Sequence, residues 1–233
     1  MSQDDFVSTI SHEIRTPLTS IKGFTQTMLD NWESLDTDQK KKFLKIINEQ
    51  SQRLINLVEN VLNVAKIEEQ QGDLVLKEVD LELAVKKTLD LFKGRRFVVN
   101  HFKNPSTSLC DRDSLQQILV NIIENACKYS NDEIEISFST SGNFNLISIK
   151  DKGCGIKGED LEKIFDRFYR VENHLTSKTQ GSGLGLYIAQ NLAKKMGGKI
   201  AAKSSGAGSE FIIYLPVFEI ESLPSRKSAV QNV

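Results

Sequence analysis

Two glycine-rich segments punctuate the second half of this 233-residue chain, Asp151-Lys152-Gly153-Cys154-Gly155-Ile156 and Gly181-Ser182-Gly183-Leu184-Gly185-Leu186. Glycines reach positive φ angles and let a ligand approach the backbone closely. Amides at a helix start receive phosphate. The first segment follows a strand-like stretch and the second precedes a helical one. The second is no Rossmann turn, because polar residues 177–180 and not a strand precede it, and it lacks the Gly-Lys-Ser/Thr ending of a P-loop. Either segment alone reads equally well as a structural turn. A third feature adds weight: Asn121, Asn125 and Lys128 fall at i, i+4 and i+7 of one long helical pattern and so share a face. Amide oxygens there suit a hard cation and an ammonium suits phosphate.

These residues need elements to hold them. With 39% hydrophobic and 26% charged residues the chain has the composition of a soluble globular protein of one or two domains. It has no signal peptide and no run near the roughly 18 apolar residues of a membrane span. The 30 basic and 31 acidic residues leave a net charge of -1, which points to neither nucleic acid nor an anionic membrane as partner. Cys110, Cys127 and Cys154 have no metal-ligand spacing and no paired-disulfide logic, which suits a reducing, cytoplasmic setting. Ten of the 14 glycines lie from Gly153 onward, so the two halves do different work.

Residues 1–70 read as a long helical hairpin containing one proline, Pro17, and one glycine, Gly23. Val7, Ile14, Ile21 and Met28 recur every seven residues. After a polar break, Phe43, Leu57 and Val64 fall on one heptad line and Ile47, Leu54 and Val61 on the next. Asp36 and Gln39 form a capping pair for a second helix over 37–69, roughly 50 Å long at about 1.5 Å per residue. Two helices alone leave much of their apolar stripe wet, so the hairpin is expected to join a second copy as a four-helix bundle. The competing reading is packing against the rest of the chain. Gly72 marks a linker. Beyond it the periodicity gives strands over 73–79, 96–102, 133–139 and 145–151, helices over 81–92, 114–129 and 187–196, and a closing hairpin of 199–204 with 210–215. The fold class is α+β: the helical hairpin, then a sandwich over 72–218 with helices on one face of a largely antiparallel sheet, then a disordered tail over 219–233.

The order Asn121-x-x-x-Asn125, Asp151-x-Gly153-x-Gly155, Phe165-Asp166-Arg167-Phe168-Tyr169-Arg170 and Gly181-x-Gly183-x-Gly185 resembles the ATP-binding domain of two-component sensor histidine kinases. Phe6-Val7-Ser8-Thr9-Ile10-Ser11-His12-Glu13-Ile14-Arg15-Thr16-Pro17-Leu18 resembles that family's phospho-acceptor box, so the matches span residues 6 to 216.

The resemblance implies that His12 receives the γ-phosphoryl group of ATP. A neutral imidazole is nucleophilic near neutral pH, in keeping with that role. It implies that Glu13 takes the imidazole proton and that Glu13 with Thr16 supports hydrolysis of a phosphorylated response regulator. Pro17 should kink the helix locally. Asn125 would bind Mg²⁺ with support from Asn121, and Lys128 and Tyr129 would face phosphates and sugar. Asp151 would accept the adenine amino group. Gly153 and Gly155 would let the base approach the backbone, with Ile156 beside them. Residues 171–180 would form a lid, and Gly181, Gly183 and Gly185, with Leu184 and Leu186, its phosphate-binding anchor. Arg170 would reach the γ-phosphate, a plain surface arginine being the competing reading. Phe165, Phe168 and Tyr169 are expected to pack the lid and not to touch ligand. The implied partners are a second copy of the chain, a response regulator receiver domain and an upstream sensor absent from this sequence.

Departures are few. Ser130-Asn131-Asp132-Glu133 lacks the family's usual proline and glycines, and Ser209 stands where threonine is common, a mild change. The rival reading is an ATPase or ATP-binding scaffold of the same superfamily. Such ATPases place a glutamate four residues before the magnesium asparagine, and here that position is Asn121.

Overall fold

The structure is a computed structural model that describes residues 3–69, 74–101, 107–171 and 181–218. The expected linker at Gly72, the lid beyond Val171 and the tail over 219–233 lie outside them.

Two long helices open the chain, α1 (Gln3–Asp30) and α2 (Thr37–Glu68). α2 starts where the capping pair places it. The Gln39 N–H donates to Asp36 Oδ1 at 2.7 Å and the Asp36 N–H to Gln39 Oε1 at 3.0 Å, closing a capping box. α1 continues as helix through the buried Pro17. The hairpin closes on Phe24 and Phe43, whose ring centroids lie 5.3 Å apart. Its apolar residues divide between two fates. Leu57 and Val64 are buried against the rest of the chain, whereas Leu18, Leu44, Ile55, Val58 and Leu62 remain exposed. Val7, expected on the same seam as Met28, is also exposed. The hairpin therefore packs on its own sandwich and still carries an open apolar stripe.

The second unit has β1 (Lys77–Asp80), α3 (Leu81–Leu89), β2 (Phe97–Asn100), β3 (Thr107–Cys110), α4 (Arg112–Tyr129), β4 (Ile134–Ser141), β5 (Phe144–Lys150), α5 (Gly185–Lys195), β6 (Lys199–Ser205) and β7 (Gly208–Pro216). The main sheet runs β2-β4-β5-β7-β6, antiparallel except for the parallel β2–β4 pair, and β1 and β3 form a separate antiparallel pair. β3 has no counterpart in the sequence reading, because its buried positions are Ser108 and Cys110 and give no clear alternation of apolar with polar residues. The strand expected over 73–79 is confined to β1 among the described residues and ends in the Asp80 cap of α3, whose Oδ1 accepts from the Leu83 N–H at 2.9 Å. β5 alternates as expected, burying Asn145, Ile147 and Ile149.

α4 is the central helix. Asp111 caps it by accepting the Ser114 N–H at 2.8 Å, which satisfies one of the amides a helix start leaves without a partner. Leu115, Ile118, Leu119, Ile122, Ile123 and Ala126 are all buried among residues of the sheet and of α5. Each large side chain so buried contributes about 1.5–3 kcal/mol. Leu119→Ala should lower unfolding free energy by about 2–5 kcal/mol in a denaturant titration, the range for an unfilled core cavity, and a loss below about 1 kcal/mol would contradict this packing.

Candidate active site

Burying one face of α4 leaves the opposite face to line a cavity of about 550 Å³. Asn121, Asn125, Lys128 and Tyr129 form one wall. The Lys128 ammonium lies 4.9 Å from the Tyr129 ring centroid and against Gly181, within reach of a cation–π attraction. The Asn121 amide oxygen faces Gly185 at the start of α5. Its amide nitrogen is buried without a hydrogen-bond partner among the described residues, a condition that costs about 1–3 kcal/mol unless a ligand relieves it. Glu124 shares this wall, and burial pushes its carboxyl above the ordinary range against the pull of Lys128.

At the other end sits Asp151, only 2% exposed. Its Oδ1 accepts the Gly153 N–H and its Oδ2 the Ser209 hydroxyl, both at 2.7 Å. One bond on each oxygen orients the carboxylate and leaves lone pairs for a ligand donor. Ser209 thus belongs to the site, which the sequence reading missed by treating it as a mild substitution. A hydroxyl directly after Gly208 was the available signal. The role given to Gly153 also changes. A Cβ there would collide with the Tyr129 carbonyl and come 2.8 Å from Asp151 Oδ1, so this glycine makes room for the protein's own aspartate. Gly183, at φ +72°, is required by Phe168: a Cβ would lie 2.7 Å from the Phe168 backbone, whose N–H donates to the Gly183 carbonyl at 3.0 Å. Only glycine enters that conformation without strain. Phe168 itself sits at φ 60°.

Of the expected cofactor-binding residues, Asn121, Asn125, Lys128, Tyr129, Asp151, Gly155, Ile156, Arg170, Gly181, Gly183, Gly185 and Leu186 line this single cavity. Gly153 and Leu184 do not. Leu184 is wholly buried in the core. Tyr169, expected in lid packing, lines the cavity and donates its phenol proton to Asp160 at 2.6 Å, which holds the phenol up to about 12.

The stem supplies the remaining wall. Glu49, Gln52, Arg53, Asn56 and Asn60 project from one face of α2, and Glu13 enters from α1. Glu13 pairs with Arg53 at 3.5 Å. His12 is exposed and is not among the lining residues. Thr16 is exposed and donates its hydroxyl to the His12 carbonyl at 3.2 Å. Adjacent helical residues point about 100° apart, so Glu13 and His12 face different ways.

Two family models match successive parts of the chain. Residues 2–70 match the His Kinase A (phospho-acceptor) domain and residues 110–219 the histidine kinase-, DNA gyrase B-, and HSP90-like ATPase domain. This chain belongs to the two-component sensor histidine kinases. It corresponds to their catalytic core, with the helical hairpin followed by the ATPase-type sandwich. Sensor protein SrrB of Staphylococcus aureus is 37% identical over 225 residues, covering 91% of this chain and 38% of that protein. The kinase core thus spans about two fifths of the curated relatives it matches. Among solved structures, Acinetobacter baumannii histidine kinase AdeS aligns with a TM-score of 0.69 at 27% identity, over 89% of this chain and 98% of that one. Full-length ShkA in complex with AMPPNP aligns at 0.66 and 27%, over 91% and 46% of the two chains. Histidine kinase ThkA in complex with response regulator protein TrrA aligns at 0.69 and 26%, over 91% and 61%.

Ser209→Ala should weaken ATP binding by roughly tenfold or more in calorimetric titration, since a hydrogen bond to a charged group is lost, while Ser209→Thr keeps the hydroxyl and the affinity. Equal affinity in both variants would remove Ser209 from the site.

Proposed function

We propose that this histidine kinase core binds ATP with Mg²⁺, phosphorylates His12 and passes the phosphoryl group to an aspartate of a response regulator. The observation that carries the proposal is one cavity reaching from the buried Asp151 past the Asn121, Asn125 and Lys128 face to Glu13, the neighbour of His12. Asp151 would accept the adenine amino group, its orientation already set by Ser209 and Gly153. Lys128 and the glycine-lined start of α5 would hold the phosphates, where amides and an ammonium replace water.

The donor set fits Mg²⁺, a hard cation that takes few protein oxygens alongside substrate phosphates. Asn125 would hold it through its amide oxygen with Asn121 in support, and it would supply neutralisation of charge building on the transferred group. The carboxylates of Glu13, Glu49 and Glu124 in the same cavity make that neutralisation necessary. In the transfer, an imidazole nitrogen of His12 bonds to the γ-phosphorus as the bond to the β-phosphate oxygen breaks. The electron pair leaves on ADP and the imidazole proton goes to Glu13. With His12 turned away from the cavity, the stem and the sandwich must reorient to reach an in-line geometry.

The exposed stripe of Leu18, Leu44, Ile55, Val58 and Leu62 supports pairing with a second copy of the hairpin. The solved ThkA–TrrA complex supports a response regulator as the phosphoryl acceptor. Regulator dephosphorylation through Glu13 and Thr16 is the second activity in the proposal. Thr16 would first have to turn its hydroxyl from the His12 carbonyl toward water.

With γ-labelled ATP the wild-type core should take up acid-labile, base-stable label, and His12→Gln and Asn125→Ala should not; label retained on His12→Gln would sink the acceptor assignment. Thr16→Ala should slow dephosphorylation of a labelled regulator by about tenfold or more while leaving autophosphorylation within a fewfold. An unchanged dephosphorylation rate would rule the second activity out.

A further inference from the structure

The stem wall of the cavity is polar where a helix packed on a sandwich would ordinarily be apolar. Gln52, Arg53, Asn56 and Asn60 lie at i, i+1, i+4 and i+8, and Gln52 is tied to Asn56 by a 2.9 Å bond from its amide nitrogen. Among the described residues that line the cavity from the stem, Arg53 is the cation, facing the carboxylates Glu13 and Glu49. Its bond with Glu13 is loose. The two groups meet at 3.5 Å through one nitrogen, Nη2, and both side chains are 25% exposed. A tight charge-assisted bond would close to about 2.7–2.9 Å. A guanidinium has five N–H donors in a planar fork, so this contact uses little of what Arg53 can offer.

A carboxylate facing the phosphate end of a nucleotide site repels an incoming triphosphate unless a cation neutralises it. α5 packs against α2, and Lys128, Gly181 and Arg53 line the same cavity, so a nucleotide held at Lys128 would turn its outermost phosphate toward the stem. We propose that Arg53 is a catalytic residue that exchanges partners: it neutralises Glu13 in the empty site and binds the γ-phosphate of ATP when the nucleotide enters. The inference rests on the nucleotide-binding reading above. A γ-phosphate carries more negative charge than one carboxylate and matches the guanidinium fork, so it displaces Glu13. Arg53 gains and loses no covalent bond or proton in the exchange. Its release of Glu13 supplies the free carboxylate that takes the His12 proton, which links the arrival of a complete triphosphate to activation of the nucleophile. ADP, lacking the γ-phosphate, leaves the Glu13–Arg53 pair in place.

The test compares calorimetric binding of Mg²⁺-ADP and of the Mg²⁺ complex of a non-hydrolysable imidodiphosphate analogue of ATP. Arg53→Ala should lose roughly tenfold or more in affinity for the analogue with ADP affinity unchanged, and Arg53→Lys should recover part of the loss. Glu13→Gln, which frees Arg53 beforehand, should shift the ratio the other way and tighten the analogue relative to ADP. Arg53→Ala weakening both nucleotides equally, or neither, would overturn the proposal, as would an unchanged ratio in Glu13→Gln. Wild-type protein that binds neither nucleotide would instead refute the nucleotide-binding reading, and this inference with it.

Discussion

The apolar face of α4 sets the terms for the rest of the molecule. Six residues from Leu115 to Ala126 are buried among the isoleucines of β4, β5 and β7 and the small face of α5. Turning the helix would expose that face to water, at about 25 cal/mol for each Å² uncovered. With rotation fixed, Asn121, Asn125 and Lys128 have one direction left to point. The polar wall of the cavity is a by-product of hydrophobic burial on the other side of the same helix, which holds the Asn121 amide nitrogen in place although it has no hydrogen-bond partner among the described residues.

A second constraint joins the stem to the sandwich. The Phe6 and Phe168 rings stand 5.5 Å apart, and the Arg167 guanidinium lies over Phe6 at 5.5 Å and over Tyr187 at 4.9 Å while pairing with Glu68 at the end of α2. Phe168 takes its left-handed backbone against Gly183, inside the glycine-rich turn. The start of α1 is thereby in contact with the turn that begins α5. Packed rings thus join the stem to the glycine-rich turn. The same docking brings Glu13 and Arg53 into the cavity and leaves His12 outside it.

The paired charges behave according to burial. Glu13 and Arg53 keep a quarter of their surface in solvent, which makes the pair weak and exchangeable. Asp151 is enclosed and held at both oxygens, which makes it rigid. Cys110 is buried deeply enough to raise its thiol to about 12, which removes it from the chemistry.

Periodicity and spacing determined much of this protein: the capping box at Asp36 and Gln39, the two stem helices, the α4 face, the β4–β5 hairpin and the α+β class are all local properties, carried by residues within a turn or two of one another. Motif order along the chain then named the family. What local pattern cannot carry was settled by tertiary structure. β3 turns a serine, Ser108, inward and so shows no apolar period, and the parallel pairing of β2 with β4 joins strands separated by a whole helix. Ser209 meets Asp151 across 58 residues, and Arg53 meets Glu13 across two helices. Gly153 and Leu184 carry the same motif signal as their neighbours, yet neither lines the cavity: a Cβ on Gly153 would meet the Tyr129 carbonyl and Asp151, and Leu184 fills the core. The sequence states which groups are present and on which helical face. Only docking of the stem on the sandwich decides which faces meet, because that depends on the summed burial of both surfaces and not on any segment taken alone.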